Sequence, residues 1–296
     1  MIDYDPHNWR SHLLDIRGSM LREILSRVLL CVAWAITISA VDAYLLSIQI
    51  PPTIHLLLGT ATGLLLVFRT NTSYDRFWEG RRMWGGIINE SRNLARMSCA
   101  LLHDVPQLRD VALRWTIGFA HAARQHLRGA RSLGDAAVSL PKEEVDAALA
   151  THNVPLVAAK KITDQFVAAR RAGVISDQLL VALDQNVQLL IDYLGACERI
   201  HKTPLPFAYT VHLRRALILY CFTLPLALVD AFGWWTPLCT LLVAYVFFGI
   251  EEIGVEIEDP FDDDANSLPL ERFCETIQRD LNELIGVSPA TKREEV

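Results

Sequence analysis

Residues 53–84 read TIHLLLGTATGLLLVFRTNTSYDRFWEGRRMW, and the change of character at Arg69 decides the fold. No charged residue lies between Asp42 and Arg69, a span of 26 positions. Beyond it, Arg69, Asp75, Arg76, Glu79, Arg81 and Arg82 alternate with Tyr74, Phe77, Trp78 and Trp84. Crossing the hydrocarbon core of a bilayer takes roughly 20 mostly apolar residues in a helix. The stretch therefore reads as a membrane helix that ends in a cationic, aromatic collar.

Three further apolar blocks lie outside this one. Val28–Val41 precedes it, Ala216–Val229 comes much later, and Ala231–Ile250 is charge-free for 20 positions. The breaks SIQIPPT (47–53) and DAFGWWTP (230–237) carry turn formers and interfacial aromatics. Two helical hairpins follow, 24–47 with 53–68 and 213–230 with 235–250. Both connecting loops lack Lys and Arg, whereas Arg10, Arg17, Arg22 and Arg27 precede the first hairpin and Arg214 and Arg215 open the second. The positive-inside rule then puts both termini and residues 69–212 in the cytoplasm, with Trp234 and Trp235 at the opposite interface. The layout is a cytoplasmic segment 1–23, a hairpin 24–68, a helical region 69–212, a hairpin 213–250, an acidic loop and helix 251–286, and a disordered tail 287–296.

The region between the hairpins reads as helix. LLHDVPQLRDVALRWTIGFAHAARQHL (101–127) has apolar residues at 105, 108, 112, 115 and 119, a stripe of helical period. SLPKEEVDAALA (139–150) opens with Ser139 in N-cap position and Pro141 in the first turn. ISDQLLVALDQNVQLLIDYLGACERI (175–200) repeats the amphipathic pattern, and nothing alternates like a strand. The fold class is an all-α integral membrane protein with four transmembrane helices and a helical cytoplasmic region.

Composition excludes several functions. A net charge of -6 leaves no basic excess to meet phosphates, so nucleic acid is not an expected partner. The six cysteines form no CxxC and signal neither a disulfide framework nor a zinc site. Glycine-rich phosphate loops, GxSxG and HExxH are absent. No two of the nine histidines are spaced i, i+3 or i, i+4, and His121 and His126, five apart, diverge on a helix. In the acidic stretch 251–271, Asp262, Asp263, Asp264 and Asn266 carry oxygen donors suited to calcium or magnesium. The spacing is not that of an EF-hand, and a solvated loop turned by Pro260 and Pro269 is the preferred reading.

On the helix 53–68, Thr60, Leu64 and Phe68 are spaced by four and share one face. Gly59, Ala61 and Gly63 are small positions where another helix can approach. Such a stripe is ordinarily a helix contact, and one subunit of four helices has no room for a pore. In a ring of subunits the same stripe becomes an apolar constriction.

Three segments carry a resemblance to a known family. FRTNTSYDRFWEGRRMWG (68–85), CERIHKTPLPFAYTVHLRR (197–215) and GIEEIGVEIEDPFDDDANSLPL (249–270), in this order, resemble the bestrophins, and more closely their bacterial branch. The resemblance covers residues 10–285 and implies a homopentameric ion channel, one central pore, and no enzyme activity. It implies a neck of Thr60, Leu64 and Phe68, with Thr60 departing from the bulky apolar residue usual in the family. A second, cytoplasmic constriction falls at Ile175 or Leu179, with Gln178 beside them. The collar residues Arg69, Asn71, Tyr74, Asp75, Arg76, Trp78 and Glu79 take structural roles, Asn71 capping the next helix or shaping the exit. Tyr74, Phe77, Trp78 and Trp84 pack adjacent subunits or sit at lipid headgroups. The arginines find partners in Asp75, Glu79 or the run 251–259, where Glu251, Glu252 and Glu256 lie within two turns of the final span. Animal members bind calcium where Asp262, Asp263 and Asp264 stand, whereas bacterial relatives lack that clasp; calcium is disfavoured and no other cofactor is implied.

The expected function is passive passage of small monovalent ions across the bacterial inner membrane by a multi-pass homopentamer set in lipid. The resemblance leaves the sign of the ion open: chloride and other anions as in animals, or cations as in some bacterial relatives. The alternatives are a metal-dependent membrane enzyme using 262–264 and a non-conducting scaffold.

Overall fold

The structure, a computed structural model, describes residue 7 and residues 20–286. The expected disordered tail 287–296 and most of the segment 1–23 lie outside those residues. Among the described residues every regular element is helical. We number the α-helices α1 (Leu21–Tyr44), α2 (Thr53–Leu101), α3 (Pro106–Leu127), α4 (Lys142–Leu149), α5 (Val154–Arg171), α6 (Asp177–Lys202), α7 (Phe207–Phe232), α8 (Thr236–Glu256) and α9 (Leu270–Ile285). Short 3-10 turns occupy Gly134–Ser139 and Gly233–Trp235. The chain divides into two compact units, residues 1–77, 204–259 and 264–267 in one and the remainder in the other.

The first unit holds α1, the opening of α2, α7 and α8. Its core is Ile24, Val28 and Cys31 of α1, Leu66 of α2, Leu213, Leu217 and Cys221 of α7, and Ala244 and Phe248 of α8. The indole of Trp34 stacks on Phe222 at 4.5 Å and donates to the Phe222 carbonyl at 2.9 Å, tying α1 to α7. Three stretches are long and apolar enough to cross a membrane: Leu21–Tyr44, Thr53–Leu101 and Phe207–Glu256. Gly233, at φ +49, divides the third into helices of 26 and 21 residues that pack on each other. Only glycine accepts that backbone at no steric cost, which is why the reversal falls there.

The helices overrun the apolar blocks. α2 does not stop near Phe68 but continues to Leu101, and α7 begins at Phe207, six residues before the expected 213. Hydropathy reports the surroundings of a helix, whereas its ends are set by where the backbone ladder is broken or capped. Asn71 therefore caps nothing, since it lies inside α2. Of the two glycines among the three small positions, Gly59 meets Tyr220, whose hydroxyl would lie 2.8 Å from an added Cβ, whereas Gly63 has nothing within 4 Å. Close approach occurs at one glycine and not at the other.

The second unit packs around α3. Every residue from Trp115 to Ala123 is buried there, against α5, α6, α9 and the 3-10 turn 134–139. The stripe expected on one side of this helix is thus only the part of it that the period reveals; the alanines and Gly118 between the large residues let partners close in on the other sides as well. Asn153 caps α5, accepting from the Leu156 N–H at 3.0 Å, and Ser176 caps α6, accepting from Leu179 at 3.3 Å. Ser139 is not the cap expected of it: its hydroxyl donates to the Ala136 carbonyl at 2.9 Å, and α4 starts three residues later. His121 and His126 diverge, one to Gln278 at 3.1 Å and the other to Glu198 at 2.7 Å.

Candidate functional site: an exposed apolar face and the junction behind it

The opening of α2 buries one narrow stripe. Thr62, Leu66, Arg69 and Ser73 are buried at helical spacing, while Leu56, Leu57, Leu64, Val67 and Phe68 stay more than half exposed. Thr60, Leu64 and Phe68 all lie on the exposed side. The Thr60 hydroxyl donates to the Leu56 carbonyl at 2.9 Å, so the side chain presents mostly its methyl group outward.

Behind this face, in the same unit, Arg69 is 1% exposed. Its guanidinium donates to a Glu258 carboxylate oxygen at 2.8 Å and to the Thr210 hydroxyl at 3.2 Å. The other carboxylate oxygen of Glu258 accepts from the Leu205 N–H at 2.8 Å, and the Glu258 carbonyl accepts from Arg76 at 3.0 Å. Tyr209 adds a hydroxyl bond to the Leu65 carbonyl at 2.9 Å. A buried guanidinium needs a paired charge, and here one arginine, its Nε left without a partner, draws α2, the start of α7 and the turn after α8 together. The fit is close: at Gly254 an added Cβ would lie 3.1 Å from Arg69 Cγ.

Arg69 and Arg76 thus find their partner in the acidic run 251–259, at Glu258. Glu251, 2% exposed, pairs with Arg214 at 3.0 Å and with Arg27 at 3.6 Å, and Glu252 takes Arg27 at 2.6 Å. Asn266 holds Glu256 at 3.0 Å. Asp75 and Tyr74 are exposed, Glu79 half-buried, and Trp78 51% exposed. Trp84 departs from its expected place at a subunit contact or headgroup: it is fully buried beside Phe273, ring centroids 6.1 Å apart, in the second unit.

Arg128 organises the start of the acidic loop in that second unit. It donates to the carbonyls of Phe261 at 3.2 Å and Asp262 at 3.3 Å, meets the Asp263 carboxylate at 3.1 Å, and pairs with Glu271. The Asp262 carboxylate accepts from the Asp263 N–H at 2.8 Å. Among the described residues no group of three His, Cys, Asp or Glu side chains is placed to hold a metal ion. At the proposed inner constriction, Ile175 is 5% exposed and packed in the unit, Leu179 is half-buried and Gln178 is exposed. Burial raises the Cys197 and Cys274 thiols to about 12, which leaves both as inert core groups.

Sequence reading missed Glu258 and Arg128, each hidden among many like residues. A signal existed for the first. Arg69, Thr210 and Glu258 each lie in one of the three segments that carry the resemblance, and they meet at one point.

Residues 1–283 match the family described as Bacterial/Fungal Bestrophin protein. The chain belongs to that family. Similar bestrophins include a voltage-dependent anion channel-forming protein of Synechocystis sp., 39% identical over 96% of this chain and 94% of its own length. A protein of the same description from Nostoc sp. is 37% identical over 95% and 93%. Among solved structures, a bacterial bestrophin homolog from Klebsiella pneumoniae covers 90% of this chain and all of its own, at 32% identity and a TM-score of 0.85. The junction at Arg69 is thus a feature of a bestrophin chain, and the exposed face of α2 is one apolar surface that the chain itself leaves uncovered.

Proposed function

We propose that this bestrophin is one subunit of a homopentameric ion channel, passing small monovalent anions down their gradient across the bacterial inner membrane. The observation that carries the reading is the bare apolar face of α2. A soluble subunit would bury Leu64 and Phe68; a subunit that lends this face to a shared axis leaves them open. Five copies of Thr60, Leu64 and Phe68 make an apolar neck that controls passage by width and dewetting. The remaining exposed apolar residues of α1, α7 and α8 face lipid in a multi-pass arrangement, termini cytoplasmic, with residues 69–212 forming the inner part of the path. A further narrowing lies at 175–179, where Leu179 and Gln178 are better placed than buried Ile175. Anions are chosen because the relatives from Synechocystis and Nostoc are described as anion channel-forming. No covalent chemistry is involved.

The test is conductance of the purified protein in planar bilayers. Leu64→Ala and Phe68→Ala should each widen the neck and raise conductance several-fold. Unchanged conductance in both would remove α2 from the pore.

A further inference from the structure

The face of α2 that carries Thr60, Leu64 and Phe68 continues past the collar. At the same helical spacing it runs through Asn71, Asp75, Arg82, Gly86, Asn89 and Arg96, all exposed except half-buried Gly86. The face thus turns from apolar to polar without leaving the helix. Its charges are also uncommitted. Arg69, Arg92 and Arg128 each hold a carboxylate, whereas the side chains of Asp75, Arg82 and Arg96 hold no ion pair or hydrogen bond among the described residues.

Arg82 also borders a recess. A cavity of about 580 Å³ lies around it, lined also by Trp78, Gly86, Asn89 and Tyr193. No carboxylate lines it, and its other cation, Arg81, stands over the Phe273 ring at 4.7 Å. Gly86 shapes the wall: an added Cβ would lie 2.6 Å from the Tyr193 ring, so only glycine lets the phenol lie flat against α2. A guanidinium offers five N–H donors and no acceptor, and it gives up its water more readily than an ammonium. With an amide and a phenol beside it and no acid, the recess suits a small, partly dehydrated anion and offers a cation little.

We infer that the Arg82 recess is an anion-holding site on the inner path, and that it, rather than the uncharged neck, sets the preference for chloride-sized anions over cations. Asp75, one face-repeat nearer the neck, works against it. The inference rests on the channel reading.

Reversal potentials under a KCl gradient test it, on the wild-type pentamer and on Arg82→Gln, Arg82→Lys, Asp75→Asn and Leu64→Ala. Arg82→Gln should lower the chloride-over-potassium permeability ratio about tenfold, the loss expected when a unit charge is removed from each subunit beside a narrow aqueous path. Arg82→Lys, which keeps the charge but not the weakly hydrated fork, should fall between wild type and Arg82→Gln, and Asp75→Asn should raise the ratio. A wild-type reversal potential in Arg82→Gln, alongside raised conductance in Leu64→Ala, would leave the channel standing and overturn the anion site. A wild type with no current, or one untouched by neck substitutions, would bring down the channel reading and the inference with it.

Discussion

From Trp115 to Ala123, all nine residues of α3 are buried, and Trp115 and Phe119 have no exposed surface. In α2, over a similar length, Leu56, Leu57, Leu64, Val67 and Phe68 are each more than half exposed. Both stretches are rich in large apolar groups, yet one is enclosed by the chain and the other is left for something outside it. A bare leucine stripe in water would be unstable against association. The difference shows that apolarity alone does not say where a helix is; the number of neighbours the chain supplies does. α3 is enclosed by four elements of its unit, while the opening of α2 offers its neighbours one stripe that centres on Leu66 and Arg69.

That contrast can be broken by a pair of substitutions. Phe119→Ala should cost about 3–5 kcal/mol of stability, since it empties a closed site. Leu57→Ala, on the open face, should cost less than about 0.5 kcal/mol in detergent. Thermal or denaturant unfolding of both variants measures the gap, and equal losses would mean that α2 is covered in the folded subunit.

The next effect sharpens the account of the buried stripe. Glu258→Ala leaves the Arg69 guanidinium enclosed without its partner, and should destabilise by about 3 kcal/mol. Replacing both residues by apolar ones should recover most of that loss. A double substitution no better than the single one would show that the pair acts through something other than charge compensation.

The smallest effect concerns the enclosed helix. Burial lowers the pKa of His121, so the folded chain keeps it neutral. The unfolded chain titrates near 6.5; below that value it takes up a proton that the folded chain refuses. Stability should therefore hold above about pH 7 and decline as the pH falls through 6.5. Urea midpoints at pH 7.5 and 5.5 measure the decline, and His121→Gln should reduce it. An undiminished decline would assign it to other groups.

The apolar helices were legible because charged residues are missing from 53–68 and from 231–250, runs that approach the roughly 20 residues a bilayer core takes. Helix ends were less so: Arg69 ends the apolar run, but nothing there breaks a helix, and the ladder simply goes on. Trp84 was misread because a tryptophan beside arginines looks interfacial; what buries it is Phe273, nearly two hundred residues away. Glu258 was one acid among many in 251–259, and only its burial against Arg69 singles it out. The shared face of Thr60, Leu64 and Phe68 was visible from spacing, while the fact that the chain leaves it bare was not.

The continuity of α2 has a kinetic consequence. Its 49 residues make an unbroken rod of about 74 Å, and no loop after Phe68 can serve as a hinge. In the proposed channel, opening has two routes: Phe68 swings about its own χ angles, or the rod turns or tilts. The first takes picoseconds to nanoseconds and the second microseconds to milliseconds. Swings of Phe68 would average into a lower steady current, whereas motion of the whole rod would leave separate openings and closings in a single-channel trace.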